Sequence, residues 1–210
     1  MGERILADTV LLTGATGFLG TELALRLAEC PDVEKIYALV RASGPEEALH
    51  RLKAAWYHEP ALYEAVGERI VPAIGDFTKP GLDLDETVSR EIRDTVSLVI
   101  HAGAQVSFVR GEKEHGDTNV LGTGNMLDFA GSLGHLRRFV YISTAFVAGL
   151  KSGIVMEEEG VASSFSNHYE KSKAEAETLV RSSGLPFSIC RPGMIVGNSK
   201  TGRIKNFNTI

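Results

Sequence analysis

LLTGATGFLG, Leu11–Gly20, sets three glycines, Gly14, Gly17 and Gly20, where an apolar strand passes into an apolar helix. The segment before it, TVLLTGA, is β-branched and apolar, and the segment after it, FLGTELALRLAE, has the period of an amphipathic helix. In such a strand-to-helix turn a dinucleotide pyrophosphate rests on backbone N–H groups at the helix N-terminus, where side chains would be in the way. Gly14 permits the tight turn, Gly17 lets the backbone approach the phosphates with Phe18 and Leu19 beside it, and Gly20 lets the helix pack on the strand. Thr13 and Thr16 add hydroxyls at the helix entrance. The spacing is GxxGxxG rather than GxGxxG, and the flanking strand and helix give it its meaning.

Outward from this turn, apolar β-branched runs alternate with segments of helical period. KIYALV is followed by a helix over 45–66, RIVPAIGD by one over 85–94, and VSLVIHAGA by one over 117–133. RRFVYIS precedes a helix over 168–183, and PFSICRP makes a sixth strand. With the first helix over 17–29, this repeated βα pattern predicts an α/β fold: a doubly wound, Rossmann-like parallel sheet covered by helices on both faces. No repeat, low-complexity tract or linker divides the chain, so residues 1–210 are expected to form a single dinucleotide-binding domain.

Composition narrows the classes. The 210 residues are 43% apolar and 23% charged with a formal net charge of -5, which suits a globular domain and offers no basic surface for nucleic acid. No apolar run reaches the ~18 residues of a membrane span and no leader pattern opens the chain, so the expected location is cytoplasmic. Cys30 and Cys190 lie far apart without CxxC or histidine spacing, and the six histidines have no ligand spacing, so no metal is assigned.

The end of the second strand chooses between cofactors. An NAD site places an acid there, whereas ALVRAS places Arg41, whose guanidinium matches a ribose 2′-phosphate; Arg51 lies within reach on the following helix. NADP(H) is therefore favoured over NAD(H), the alternative being that both arginines are solvated surface residues. At the end of the third strand Asp76 can accept from an adenine amino group while Phe77 borders the ring. At the end of the fourth, Ala102, Gly103 and Ala104 are small enough for close approach to the cofactor, and His101 reads as a packed histidine.

HYEKSK places Tyr169 and Lys173 at i, i+4 on one helix face, where a lysine ammonium would favour the phenolate and let Tyr169 exchange a proton. Thr144, at the mouth of the preceding strand, supplies a hydroxyl that can hold a carbonyl oxygen beside that phenol. Singly these are common residues on a helix face. After a glycine turn, and in this chain order, they point to proton transfer.

TGATGFLG, GDF, HAGA, NVLGT, YISTAFVAG, YEKSK and RPGMIVG, in this order, resemble the extended short-chain dehydrogenase/reductase family over essentially the whole chain. The resemblance implies that Tyr169 is the proton donor, Lys173 its partner and a donor to the nicotinamide ribose, and Thr144 the carbonyl-binding hydroxyl. It implies a structural or proton-relay role for Asn119, which by residue type could equally be a capping residue, and it sets Pro192 and Gly193 against the nicotinamide. LVRAS, HAGAQVSF and YISTAFVAG look most like the thioester reductase and fatty acyl-CoA reductase group, the male-sterility type, with Ala148 where sugar-nucleotide epimerases carry a tyrosine. The implied reaction is hydride transfer from NADPH to an acyl thioester on CoA or a phosphopantetheine carrier, giving an aldehyde or alcohol. An epimerase, dehydratase or steroid-type dehydrogenase remains an alternative, as does a non-catalytic dinucleotide sensor. Family members continue into a C-terminal substrate region, so the chain is expected to be truncated there or unusually short; a homo-oligomer is compatible with the sequence.

Overall fold

The computed structural model describes residues 8–107, 111–157, 160, 162–197, 199 and 202. Strands β1 (Asp8–Thr13), β2 (Val33–Val40), β3 (Ile70–Ile74), β4 (Leu98–His101), β5 (Arg138–Ile142) and β6 (Phe187–Cys190) form one sheet in the order β3-β2-β1-β4-β5-β6. Every pairing is parallel. The chain winds outward from β1 to β3, then returns to begin again at β4. The carboxyl ends of β1 and β4 therefore lie side by side at the reversal, in register from Val10↔Leu98 to Thr13↔His101, where a doubly wound sheet opens a crevice.

Alternation along the buried strands feeds two cores. Val10, Leu12, Ile36, Ala38 and Ile100 pack with residues of α1 (Phe18–Glu29), α2 (Pro45–Ala55) and α3 (Pro60–Ala65). On the other face Leu11, Tyr37, Leu39, Val99, Phe139 and Tyr141 pack with α4 (Glu86–Thr95), α6 (Gly122–Gly131) and α7 (His168–Ser182). Burial of each large aliphatic side chain contributes about 1.5–3 kcal/mol, so the nearly continuous apolar strands are what a sheet covered on both faces requires.

Two expected helices differ from their sequence reading. The helix over 45–66 breaks after Ala55 and resumes as α3 with Pro60 in its first turn. Pro60 has no N–H for a helix interior and biases Glu59 away from helical geometry, leaving it at φ -121 and ψ 83. At the break Trp56 is fully buried and its indole N–H donates to the Ala15 carbonyl at 3.0 Å, fastening the glycine turn from behind. The helix expected over 117–133 begins five residues earlier, as α5 (Glu112–His115), and joins α6 through a π-type turn, Gly116–Leu121. Asn119 is buried in that turn.

In the turn after β1, Gly14 and Gly20 are required by backbone proximity. Gly14 has φ +74, and a Cβ there would lie 2.8 Å from the Ala102 carbonyl carbon. A Cβ on Gly20 would lie 1.9 Å from the Gly14 oxygen. Gly124, in α6, has open space around it. Gly20→Ala should therefore lose about 3 kcal/mol or more of stability in urea denaturation, whereas Gly124→Ala should hold or gain up to about 1 kcal/mol. Equal effects would remove the packing reason for Gly20.

Candidate functional site

A cleft of about 550 Å³ runs along the carboxyl edge of the sheet, from the end of β2, across β1 and β4, to the ends of β5 and β6. Gly14, Thr16, Gly17, Phe18, Leu19 and Gly20 line its middle. Gly17 caps α1 without a side-chain bond and no acid stands in the first turn, so the positive end of the helix dipole faces the cleft uncompensated. A turn that excludes Cβ atoms, opening on bare helix N–H groups, fits a phosphate-bearing ligand. Thr13 does not take part as expected: its hydroxyl is fully buried behind the turn.

Arg41 and Arg51 both line the β2 end of the cleft. The Arg51 guanidinium donates to the Arg41 carbonyl and stands 3.8 Å from Glu47, so the second arginine braces the first. Asp76 is not among the lining residues; its Oδ1 accepts from the backbone N–H and hydroxyl of Thr78, at 2.9 and 2.8 Å, and Thr78 lines the cleft instead. Phe77 does line it, with its ring against Gly103, Gly122 and the His101 imidazole.

Ala102, Gly103 and Ala104 line the cleft beyond β4, but the small size of Gly103 serves the protein's own packing. A Cβ there would lie 2.7 Å from the Phe77 ring. Beneath it runs a chain of hydrogen bonds. Gly103 N–H donates to Thr13 Oγ1 at 3.0 Å; Thr13 Oγ1 and His101 Nδ1 are 2.7 Å apart; His101 Nε2 and Thr123 Oγ1 are 3.2 Å apart; and Thr123 donates to the Asn119 carbonyl at 2.6 Å. Since Thr123 gives its proton to Asn119, it must accept from His101, which assigns the Nε2–H tautomer and makes Thr13 the donor to Nδ1. Burial, aided by the Lys173 charge, pushes the imidazole down to about 3, so it stays neutral.

Asn119 closes the other side of the site. Its Oδ1 accepts from Gln105 N–H at 2.7 Å, and its Nδ2 donates to the Gln105 carbonyl at 3.0 Å and to Ser172 Oγ at 2.9 Å. The amide clamps the loop after β4 to α7, and the π-type turn aims it there.

Thr144, Tyr169 and Lys173 all reach the cleft, with Pro192 and Gly193 opposite. Thr144 Oγ1 accepts from Phe146 N–H at 3.3 Å, and its side chain favours the ionised form of the Tyr169 phenol. The expectation that Lys173 lowers the phenol is not met: burial raises Tyr169, and only Thr144 pulls it back. The reason is geometric, because Lys173 Nζ donates to the Ile142 carbonyl at 2.7 Å and stands 4.2 Å over the Tyr141 ring. Lys173 itself is 2% exposed, and burial pushes it down to about 7 against the opposing charge of Glu177.

Sequence reasoning gave no role to Ser143 and Gln105, which lie inside quoted motifs, or to Thr78, which directly follows GDF. Ser143 is 4% exposed and lines the cleft, and its Oγ has no partner among the described residues, an orphaned hydroxyl that suits a bound polar group. Glu177 was also missed, although it follows Lys173 at the i, i+4 spacing that relates Lys173 to Tyr169. Among the described residues no helix is long and apolar enough to cross a membrane, and no cluster of potential metal ligands is present.

A family model described as male sterility protein matches residues 12–210. A component of the linear gramicidin synthase of Brevibacillus parabrevis is 37% identical over 210 residues, covering 96% of this chain and 4% of that protein. The terminal R domain of the myxalamid PKS-NRPS pathway superposes with a TM-score of 0.84 at 34% identity, over 96% of this chain and 56% of that one. The reductase domain of a nonribosomal peptide synthetase from Mycobacterium tuberculosis gives 0.77 and 31%, over 95% and 51%. The chain thus spans about half the length of those reductase structures.

The buried ammonium has a measurable consequence. With an unfolded value of 10.5 and a folded value of about 7, Lys173 is protonated in the unfolded chain and neutral in the folded one between those limits. Stability should therefore rise with pH across that window, by up to about 1.4 kcal/mol per unit, and be lost as pH falls toward 7. Lys173→Met should be more stable than the parent at pH 7 and flatten that slope. An unchanged slope in urea titrations would mean that Lys173 is not buried in the way described.

Proposed function

The chain belongs to the male sterility protein family, and from that premise we propose that its single domain binds NADPH and reduces an acyl thioester, carried on CoA or a phosphopantetheine arm, to an aldehyde. The observation that carries this reading is the convergence of Thr144, Tyr169 and Lys173 on the same cleft as the glycine turn. The pyrophosphate would lie against Gly14–Gly20, the 2′-phosphate against Arg41 braced by Arg51, the adenine near Phe77 and Thr78, and the nicotinamide between Tyr169 and Pro192–Gly193.

When bound, the reduced nicotinamide supplies a hydride to the thioester carbonyl carbon. The chain's own groups handle the oxygen. Thr144 and Tyr169 hold it as negative charge develops, in a setting where such hydrogen bonds are stronger than in water. A phenol raised by burial keeps its proton at neutral pH, which suits Tyr169 as the donor to that oxygen. The resulting carbon bears a hydroxyl and the sulfur; breaking its C–S bond, with the hydroxyl proton passing to the sulfur, releases thiol and aldehyde. Lys173 would donate to the nicotinamide ribose and restore the proton to Tyr169. Asn119, with its amide engaged by Gln105 and Ser172, acts as a clamp rather than a relay.

A dinucleotide sensor would have no use for a lysine buried at the expense of stability, and Lys173 weighs against that alternative. The resemblance to reductase domains at 31% and 34% identity supports a reductase over an epimerase.

Arg41→Ala should remove most of a preference for NADPH over NADH, a loss of about 1.5–3 kcal/mol in titration calorimetry; equal affinities in the parent would sink the 2′-phosphate assignment. In the full-length protein supplied with a phosphopantetheine thioester, NADPH oxidation should accompany aldehyde formation. Tyr169→Phe should cut turnover by about 10² or more with NADPH affinity unchanged. Undiminished turnover in that variant would move the proton donor elsewhere.

A further inference from the structure

Glu177 lies one turn beyond Lys173 on α7 and is 0% exposed. Its carboxylate is held fork to fork by Arg191: Nε donates to Oε1 at 2.8 Å and Nη2 to Oε2 at 2.7 Å. Arg181 approaches Oε2 from the surface, at 3.6 Å. Arg191 follows the last residue of β6 and directly precedes Pro192 and Gly193, which line the cleft. The Pro192 carbonyl in turn accepts from Ala145 N–H at 2.9 Å, next to Thr144. One carboxylate thus ties the helix of Tyr169 and Lys173 to the segment facing it, and through Pro192 to the turn that holds Thr144.

A buried ion pair contributes little net stability over apolar residues of the same volume, so its value here is geometric. We propose that Glu177 and Arg191 are positioning residues that fix the Pro192–Gly193 wall against the Tyr169–Lys173 face and thereby set the width of the nicotinamide end of the cleft. The proposal rests on the reading of this cleft as an NADPH site. The fork specifies the distance because two guanidinium donors on one edge, Nε and Nη2, must meet both carboxylate oxygens at once, which a lysine cannot do. The same carboxylate favours the charged form of Lys173 against burial, so its place beneath the lysine has a second effect. Arg41 and Arg51 lie at the opposite, adenosine end of the cleft, beyond the glycine turn.

The test compares two ligands that share the adenosine half: NADPH, and adenosine 2′,5′-bisphosphate, which lacks the nicotinamide. Their affinities are measured by calorimetry for the parent chain, Arg191→Lys, the double variant Glu177→Leu with Arg191→Leu, and Arg181→Ala. The double variant removes both charges of the pair together, so that neither Glu177 nor Arg191 is left without the other, and keeps the fold testable. Arg191→Lys and the double variant should bind NADPH about tenfold more weakly and the bisphosphate within about twofold of the parent. Arg181→Ala should match the parent for both ligands. If the two ligands weaken equally, or neither weakens, the pair does not position the nicotinamide end. A parent chain that binds neither ligand overturns the cofactor reading itself, and the proposal with it.

Discussion

The hydrogen bond between Thr13 and His101 joins the last residues of two neighbouring strands at the point where the sheet reverses direction, and the site depends on it. On one side it fixes Thr13 to accept from Gly103, which holds the turn after β4 against the turn after β1. On the other, His101 passes to Thr123 and Asn119, and Asn119 holds Gln105 and Ser172. Each donor in this series has an acceptor, and none of the groups is charged. A proton added to His101 would leave Nδ1 pointing at Thr13 with no lone pair to accept, so burial that keeps the imidazole neutral also keeps the two turns in register.

The floor of the site is neutral, and the charges are reserved for its ends. Lys173 is buried under conditions that push its proton off, and Glu177 with Arg191 forms a compensated pair beneath it. The arginines at the β2 end remain at the surface, where hydration limits what each contributes until a ligand excludes water. Burial of Lys173 costs stability wherever the unfolded chain would keep the proton.

The fold was legible because the signals were redundant. Apolar β-branched strands, helices of the right period and glycine turns all described one doubly wound sheet, and an error in any one element would not have changed it. The errors had local causes. Pro60 breaks a helix whose apolar period continues past it, and the π-type turn inserts a residue that periodicity alone does not reveal. At the site, the residue types at Thr144, Tyr169 and Lys173 were readable, but their electrostatics were not. Spacing places Lys173 on the same helix face as Tyr169, yet the direction of its Nζ follows from the Ile142 carbonyl and the Tyr141 ring, residues of another strand. Thr13 was misread for the same reason: a motif gives the order of residues along one strand, not what the neighbouring strand presents to them.

Trp56 is the only tryptophan in the chain, and its indole N–H is bonded to the carbonyl of Ala15, in the middle of the glycine turn. The protein therefore carries a built-in optical reporter at the back of its glycine turn. Any change in that turn would act on the indole bond, while the tyrosines are silent at the red edge of indole excitation. One chromophore, without labelling, thus reports from the glycine turn.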